Sequence, residues 1–234
     1  MALRSTLRRW HVWLGWLIGV PMLFWTLSGV IMVIRPIEEV RGTALLRQEA
    51  PVAMTSAPVA PQLDGLKVQS LALEGRTAGP RWVITTADGT SRMADPATGG
   101  LLPNYGAADA AREVEARYTG KAKVASTTRI DPANPPSDLR RAMAGWQVTM
   151  DDGTHFYVDA GSGEVVARRT RWWRFYDFMW GLHIMDLETR EDTHHPFLVG
   201  FGIVALVGTL MALVLLPMTG KRRRKGSVQP AKQG

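Results

Sequence analysis

No aspartate or glutamate occurs before Glu38 or after Asp192, and the chain contains no cysteine. The missing cysteine excludes a disulfide framework, a thiolate metal site and a cysteine nucleophile, and it is compatible with an oxidising compartment. The missing acids leave both ends purely basic, with Arg4, Arg8 and Arg9 at one and Lys221, Arg222, Arg223, Arg224 and Lys225 at the other. Charge of either sign is also absent from two long runs, residues 12–34 and 197–216. A helix rising about 1.5 Å per residue needs roughly 20 apolar residues to cross about 30 Å of hydrocarbon, so both runs are long enough. Their short basic flanks, read by the positive-inside rule, predict a protein that crosses a membrane twice, with both termini in the cytoplasm and the intervening domain on the far side.

The formal charge of +7 comes from the ends, because residues 36–196 carry 18 Lys/Arg against 21 Asp/Glu, a net −3. A nucleic-acid partner is therefore not expected, since such binding needs positive charge gathered on a folded face. A cleaved signal peptide is the alternative for the N-terminus. The apolar run is longer than a typical 7–15-residue signal core and ends at Arg35-Pro36 without an A-x-A-like site, which favours an uncleaved anchor. The sequence contains no phosphate loop, no G-x-G-x-x-G and no H-E-x-x-H.

This divides the chain into a basic N-terminus (1–9), a first span (10–35), a linker (36–62), a periplasmic domain (63–170), an interfacial aromatic helix and loop (171–195), a second span (196–217) and a basic tail (218–234). The linker includes the Pro/Ala/Ser-rich stretch APVAMTSAPVAP at 50–61, with ordered structure expected from about Leu63. Inside the domain, WVITTADGTSRMADPATGG from Trp82 aligns without gaps at a spacing of 64 residues with WQVTMDDGTHFYVDAGSGE from Trp146. The shared positions include Trp82/Trp146, Asp88/Asp152, Gly89/Gly153, Asp95/Asp159 and Gly99/Gly163. Each copy reads as two strands around an Asp-Gly turn, for which a type I′ geometry is expected, with a third strand if Leu101-Leu102 and Val165-Val166 continue the pairing. Between the copies, AADAAREVEARY at 107–118 predicts a helix with Ala107, Ala111, Val114 and Tyr118 on its apolar stripe. The predicted fold class is α+β, duplicated β-hairpins with a helix between them, flanked by two transmembrane helices.

Imidazole is the ligand type available here for haem, copper, zinc or iron. His11 lies on the face of the first span that carries Gly15, Ile18 and Met22, either as a ligand or as an interfacial residue among Trp10, Trp13 and Trp16. His183 closes an aromatic stripe of Trp172, Phe175, Tyr176, Met179 and Trp180 on a stretch too short to cross a membrane, expected along the interface or as a tilted entry into the second span. His194 and His195 precede Pro196 at the start of the second span. His183 and His195 could hold a haem, or His194 and His195 a small metal, with Asp186, Glu188, Glu191 and Asp192 as supporting partners; the alternative is a solvated polar loop. His155 reads as a surface strand residue. Ser28, beside Gly29 inside the first span, reads as helix-packing glue. Gly15 and Gly19 form a G-x-x-x-G, and Gly200, Gly202, Ala205 and Gly208 crowd the second span, which suits a homodimer.

The duplicated hairpin resembles the PepSY domain. RRWHVWLGW (8–16), TLSGVIM (26–32), RFYDFMWGLHIM (174–185) and the closing Met218-Thr219-Gly220 resemble PepSY-associated transmembrane proteins of bacteria. Larger members of that group look like inner-membrane ferric-siderophore reductases, with four membrane helices and haem b held by histidines, whereas this chain has two clear spans. The resemblance implies haem b as cofactor, His11, His183 and His195 as its ligands, and a ferric-siderophore or other redox partner. A non-enzymatic membrane-tethered module that binds a peptide, protease or envelope partner, and a metal-handling accessory protein using His194 and His195, stand as the alternative functions.

Overall fold

The uncharged runs fold as the two longest helices of the chain. In the computed structural model, which describes residues 2–49 and 51–220, α1 spans Ala2–Val33 and α5 spans Pro196–Gly220. At about 1.5 Å per residue these are roughly 48 and 38 Å long, enough to cross hydrocarbon. Their apolar side chains point outward, with Trp16 at 80% and Val33 at 81% exposure. Surfaces of that kind are stable in lipid and would aggregate in water. Small residues bring the two helices together: a Cβ on Gly208 would sit 3.3 Å from Ile18 Cδ1. The basic residues 221–225 lie outside the described residues.

The chain separates into two units, one built from the described residues up to Ile34 and from Tyr176 onward, the other Arg35–Phe175. The second unit holds two antiparallel sheets. The first has the order β1-β2-β3, with β1 Val68–Arg76, β2 Gly79–Thr86 and β3 Ser91–Ala94; the second has the order β4-β5-β6-β7, with β4 Val124–Ile130, β5 Gly145–Met150, β6 His155–Asp159 and β7 Val165–Arg169. The 64-residue repeat is visible atom by atom. Asp88 Oδ1 accepts from Thr90 N at 3.1 Å, and Asp152 Oδ1 accepts from Thr154 N at 2.8 Å. Trp82 Nε1 donates to Val59 O at 2.8 Å, and Trp146 Nε1 donates to Tyr105 O at 2.7 Å. The third strand of the second copy, β7, is reduced in the first to a single bridge between Ala94 and Leu101.

The Asp-Gly turns differ from the expected type I′. Only Gly89 and Gly153 have positive φ, both +80°. Gly89 N donates to Thr86 O and Thr86 N donates to Thr90 O, each at 2.9 Å, which is a type I turn closed by a glycine bulge. The extra residue suits an Asp that bends back to its own turn, and a left-handed Asp is not required.

Helix α3, Ala107–Arg117, packs against β4 and β5. Its buried face centres on Ala110 and Val114, both at 0% exposure, while Ala107, Ala111 and Tyr118 of the expected stripe lie half-buried on its flanks. With Leu46, Val148, Met150, Phe156, Val158 and Val165 they form the main core. At the N-terminal end, Asp109 Oδ2 accepts from Gly106 N at 3.1 Å.

The residues ahead of β1 are built into this domain. A short helix, α2 (Ile37–Val40), buries Val40, and the 3-10 turn Thr43–Leu45 leads to Leu46, which bridges Tyr118. Thr119 N donates to Leu45 O at 3.0 Å and Arg47 N donates to Arg117 O at 2.9 Å. Farther on, Val59 N donates to Pro96 O and Gln62 N donates to Gly99 O, so the Pro-rich stretch is docked along the second turn of the first copy. Apolar residues at 40 and 46 supply the anchorage, and composition alone hid them among linker-type residues.

Candidate functional site

Helix α4, Arg171–His183, ends in the helical unit, and its last residue is seated against α1. The His183 ring stacks on Trp25 with centroids 4.7 Å apart and planes 18° apart. Its Nδ1 lies 3.1 Å from Trp25 O and 3.1 Å from Ser28 Oγ, and Ser28 Oγ donates to Trp25 O at 2.9 Å. A carbonyl can only accept, so Nδ1 carries the proton in this contact and the lone pair of a neutral ring is on Nε2. A ligating histidine commonly has this arrangement, with the far nitrogen tied to a carbonyl. Gly29 makes the seat: a Cβ there would lie 3.2 Å from His183 Cε1. Ser28 is fully buried and serves the imidazole as well as its own helix.

After α4 the chain turns back through a loop organised by one carboxylate, so α4 and α5 are separate helices. Asp186, itself buried, accepts from Glu188 N, Thr189 N, Glu191 N, Asp192 N and the Thr189 hydroxyl. These donors, the Thr189 hydroxyl foremost, hold its carboxyl well below the usual carboxylate range. Buried Asp177 pairs with Arg190 Nη1 at 2.7 Å, and Trp180 Nε1 donates to Arg190 O at 3.1 Å. Of the four acids named as supporting partners, the carboxylates of Asp186 and Asp192 accept bonds that shape this loop, while Glu188 and Glu191 contribute backbone amides.

His195 accepts at its carbonyl from Leu198 N and Val199 N, placing it at the start of α5, and its ring stacks on Phe197. His194 is exposed, with its N–H donating to Asp192 Oδ1 at 2.8 Å. Among the described residues no group of three or more His, Asp or Glu side chains is placed to hold a metal ion. His11 lies 14 residues before Trp25 on α1, about 21 Å along the axis from the level of the His183 seat. It ends an open groove of about 410 Å³ that runs past Gly15 and Gly19. His11 Nδ1 and His195 Nδ1 are both buried without a hydrogen-bond partner among the described residues. The fold thus brings His183 to α1, keeps His11 at a distant level of the same helix, and leaves two imidazole nitrogens unsatisfied.

His155 is more than a surface strand residue. Its Nδ1 lies 3.2 Å from Asp138 Oδ2, while Tyr157, fully buried, donates to Asp138 Oδ1 at 2.5 Å. Burial and then the Asp138 bond push the Tyr157 phenol well above its ordinary range. Arg169 Nε donates to Asp138 O at 2.6 Å. The cluster pins the loop before β5 to β6 and β7. A second charged network joins the residues ahead of β1 to the core. Fully buried Arg76 donates to Ser162 O, Glu49 Oε2 and Glu74 Oε2, and Arg117 links Glu49 to buried Glu113. Glu49 is 27 residues from Arg76 and 68 from Arg117, and no local motif brings it to either.

Two apolar helices, an imidazole seated between helices and a duplicated α+β domain define a membrane-anchored protein with a folded extramembrane domain. The family described as the PepSY-associated TM region matches residues 8–225, and the chain belongs to this family. Neither the curated proteins nor the solved structures gave a significant match.

Proposed function

We propose that this protein is a haem b electron-transfer component of the bacterial inner membrane that serves reduction of ferric iron or a ferric chelate at the periplasmic face. The observation that carries the reading is the His183 seat, with Nδ1 held 3.1 Å from Trp25 O and Nε2 left as the ligating nitrogen. The unsatisfied Nδ1 atoms of His11 and His195 fit the same role. Haem b bound by His183 and His195, and a second by His11, would supply one-electron chemistry. His11 is too far along α1 to share one haem with His183, so each chain provides a single imidazole at that level.

A homodimer supplies the second His11. In support, Gly15, Gly19, Gly200 and Gly202 have nothing within 4 Å of where a Cβ would be, so these small-residue faces are open in a single chain. In the proposed topology both termini are cytoplasmic and Arg35–Phe175 is periplasmic. The test is an absorption spectrum of protein purified after expression with ample haem. A Soret band that shifts on dithionite addition is expected, and it should be lost or displaced in His183→Ala and His195→Ala. Colourless wild-type protein would overturn the reading.

A second reading, a membrane-tethered binding module, is favoured by a cleft of about 310 Å³ in the sheet domain, lined by Asp88, Arg92, Asn104, Arg141 and Asp159 among others. It expects colourless protein and a partner that crosslinks through residues 63–170.

A further inference from the structure

Residues around the start of α4 form a cluster that electron transfer does not use. Arg35 follows α1 by two residues, so it stands where a membrane helix meets the headgroup region. Its guanidinium carbon lies 4.7 Å above the Trp172 ring, which ties Trp172 to that level. Trp173 beside it carries Arg169 at 4.0 Å and Arg140 at 6.0 Å. Phe175 leans on Trp172 with centroids 5.2 Å apart and is 42% exposed. Arg35 and Arg171 are both exposed, and neither has an acidic partner among the described residues. Trp172 Nε1 is buried without an acceptor among the described residues. An orphaned indole N–H is costly unless an acceptor arrives from outside the chain.

We propose that Arg35 and Trp172 form the centre of a binding site for the headgroup of an anionic phospholipid, with Arg171, whose guanidinium lies against Gly153, adding positive charge at the same end of α4. The Arg35 guanidinium answers the phosphate charge, with Arg171 adding to the local positive field; the indole N–H provides a donor to a phosphate or ester oxygen, and Trp172 and Phe175 provide the flat apolar surface that suits the adjoining glycerol and acyl region. The site is independent of the haem reading, since it requires only that α1 lies in a membrane.

The full-length protein, delipidated in mild detergent, is titrated with phosphatidylglycerol, phosphatidylcholine and inorganic phosphate, with bound lipid counted by native mass spectrometry. Saturable phosphatidylglycerol binding at least tenfold tighter than phosphatidylcholine is expected. Each neutral substitution, Arg35→Gln or Arg171→Gln, should weaken it about fivefold, and Arg35→Lys should restore most of the loss. Trp172→Phe keeps the ring and removes only the donor, so it should weaken binding severalfold with the melting temperature unchanged; this arm remains informative if an arginine variant fails to fold. Equal binding of the two lipids, or unaltered binding in the variants, would overturn the proposal. Competition by inorganic phosphate at the lipid's own concentration would overturn it too, by showing a site for free anion.

Discussion

In the second meander the positions facing α3 are Val148, Met150, Phe156 and Val158, whereas the residues 64 earlier in the first meander are Ile84, Thr86, Arg92 and Ala94. Both copies keep the same turns, the same Trp anchor and the same glycine bulge. They differ in what covers them. The second copy has a helix laid across it and fills that face with large apolar groups, while the first has an exposed arginine where the second has Phe156 at 0% exposure. The repeat preserved what is local to a hairpin, its turn chemistry, and let go of what depends on a distant partner.

The two copies should differ most in their cores. Phe156→Ala should cost about 3–5 kcal/mol, as expected for an aromatic removed from a closed core, while Arg92→Ala at the matching position should stay within about 0.5 kcal/mol. Denaturant unfolding of the detergent-solubilised full chain measures both, and equal losses would mean that the two copies share one core. A smaller difference is expected at the tryptophans. Trp146→Phe strands the partly buried Tyr105 carbonyl and should cost about 1–3 kcal/mol, whereas the bond from Trp82 to Val59 is exposed and Trp82→Phe should cost less than about 1 kcal/mol. The same unfolding curves would show whether the order reverses.

The smallest effect is one of acidity. Bonds from the Thr86 hydroxyl first, then from Thr90, hold the Asp88 carboxyl at about 2 against an ordinary 3.8. The folded value lies below the unfolded one, so the ionised carboxylate stabilises the fold above about pH 4, and this contribution is lost as the pH falls from about 4 towards 2. Melting temperatures recorded from pH 5 to 2 should therefore decline less steeply in Asp88→Asn than in the parent. Parallel declines would show that the first turn contributes nothing to acid sensitivity.

The two hairpins and the two spans were legible in the sequence because their signals are local: Asp-Gly and a terminal glycine at fixed offsets, and apolar runs of membrane length. The third strand of the first copy shrank to one bridge because Pro103 stands where the second copy has Ala167, and proline has no N–H to continue the ladder. The buried centre of α3 lies a residue away from its apolar stripe, since a run of alanines spreads the pattern over several faces and only the facing sheet selects one. The candidate site was legible in part. Aromatic spacing pointed to His183, but Trp25, Ser28 and Gly29 are more than 150 residues away, and periodicity cannot say which turn of another helix a side chain will meet. Arg76 and Glu113 were unreadable for a related reason, because a buried charge looks like a surface charge until its partners are known.

The loop after α4 has neither helical nor strand bonding, yet the Asp186 carboxylate gathers the amides of Glu188, Thr189, Glu191 and Asp192. Those four amides are expected to exchange with deuterated solvent only when that one side chain lets go, which hydrogen-exchange rates would check. Release of a single carboxylate should then time all four together, giving a segment with the irregular backbone of a surface loop the exchange behaviour of an ordered element.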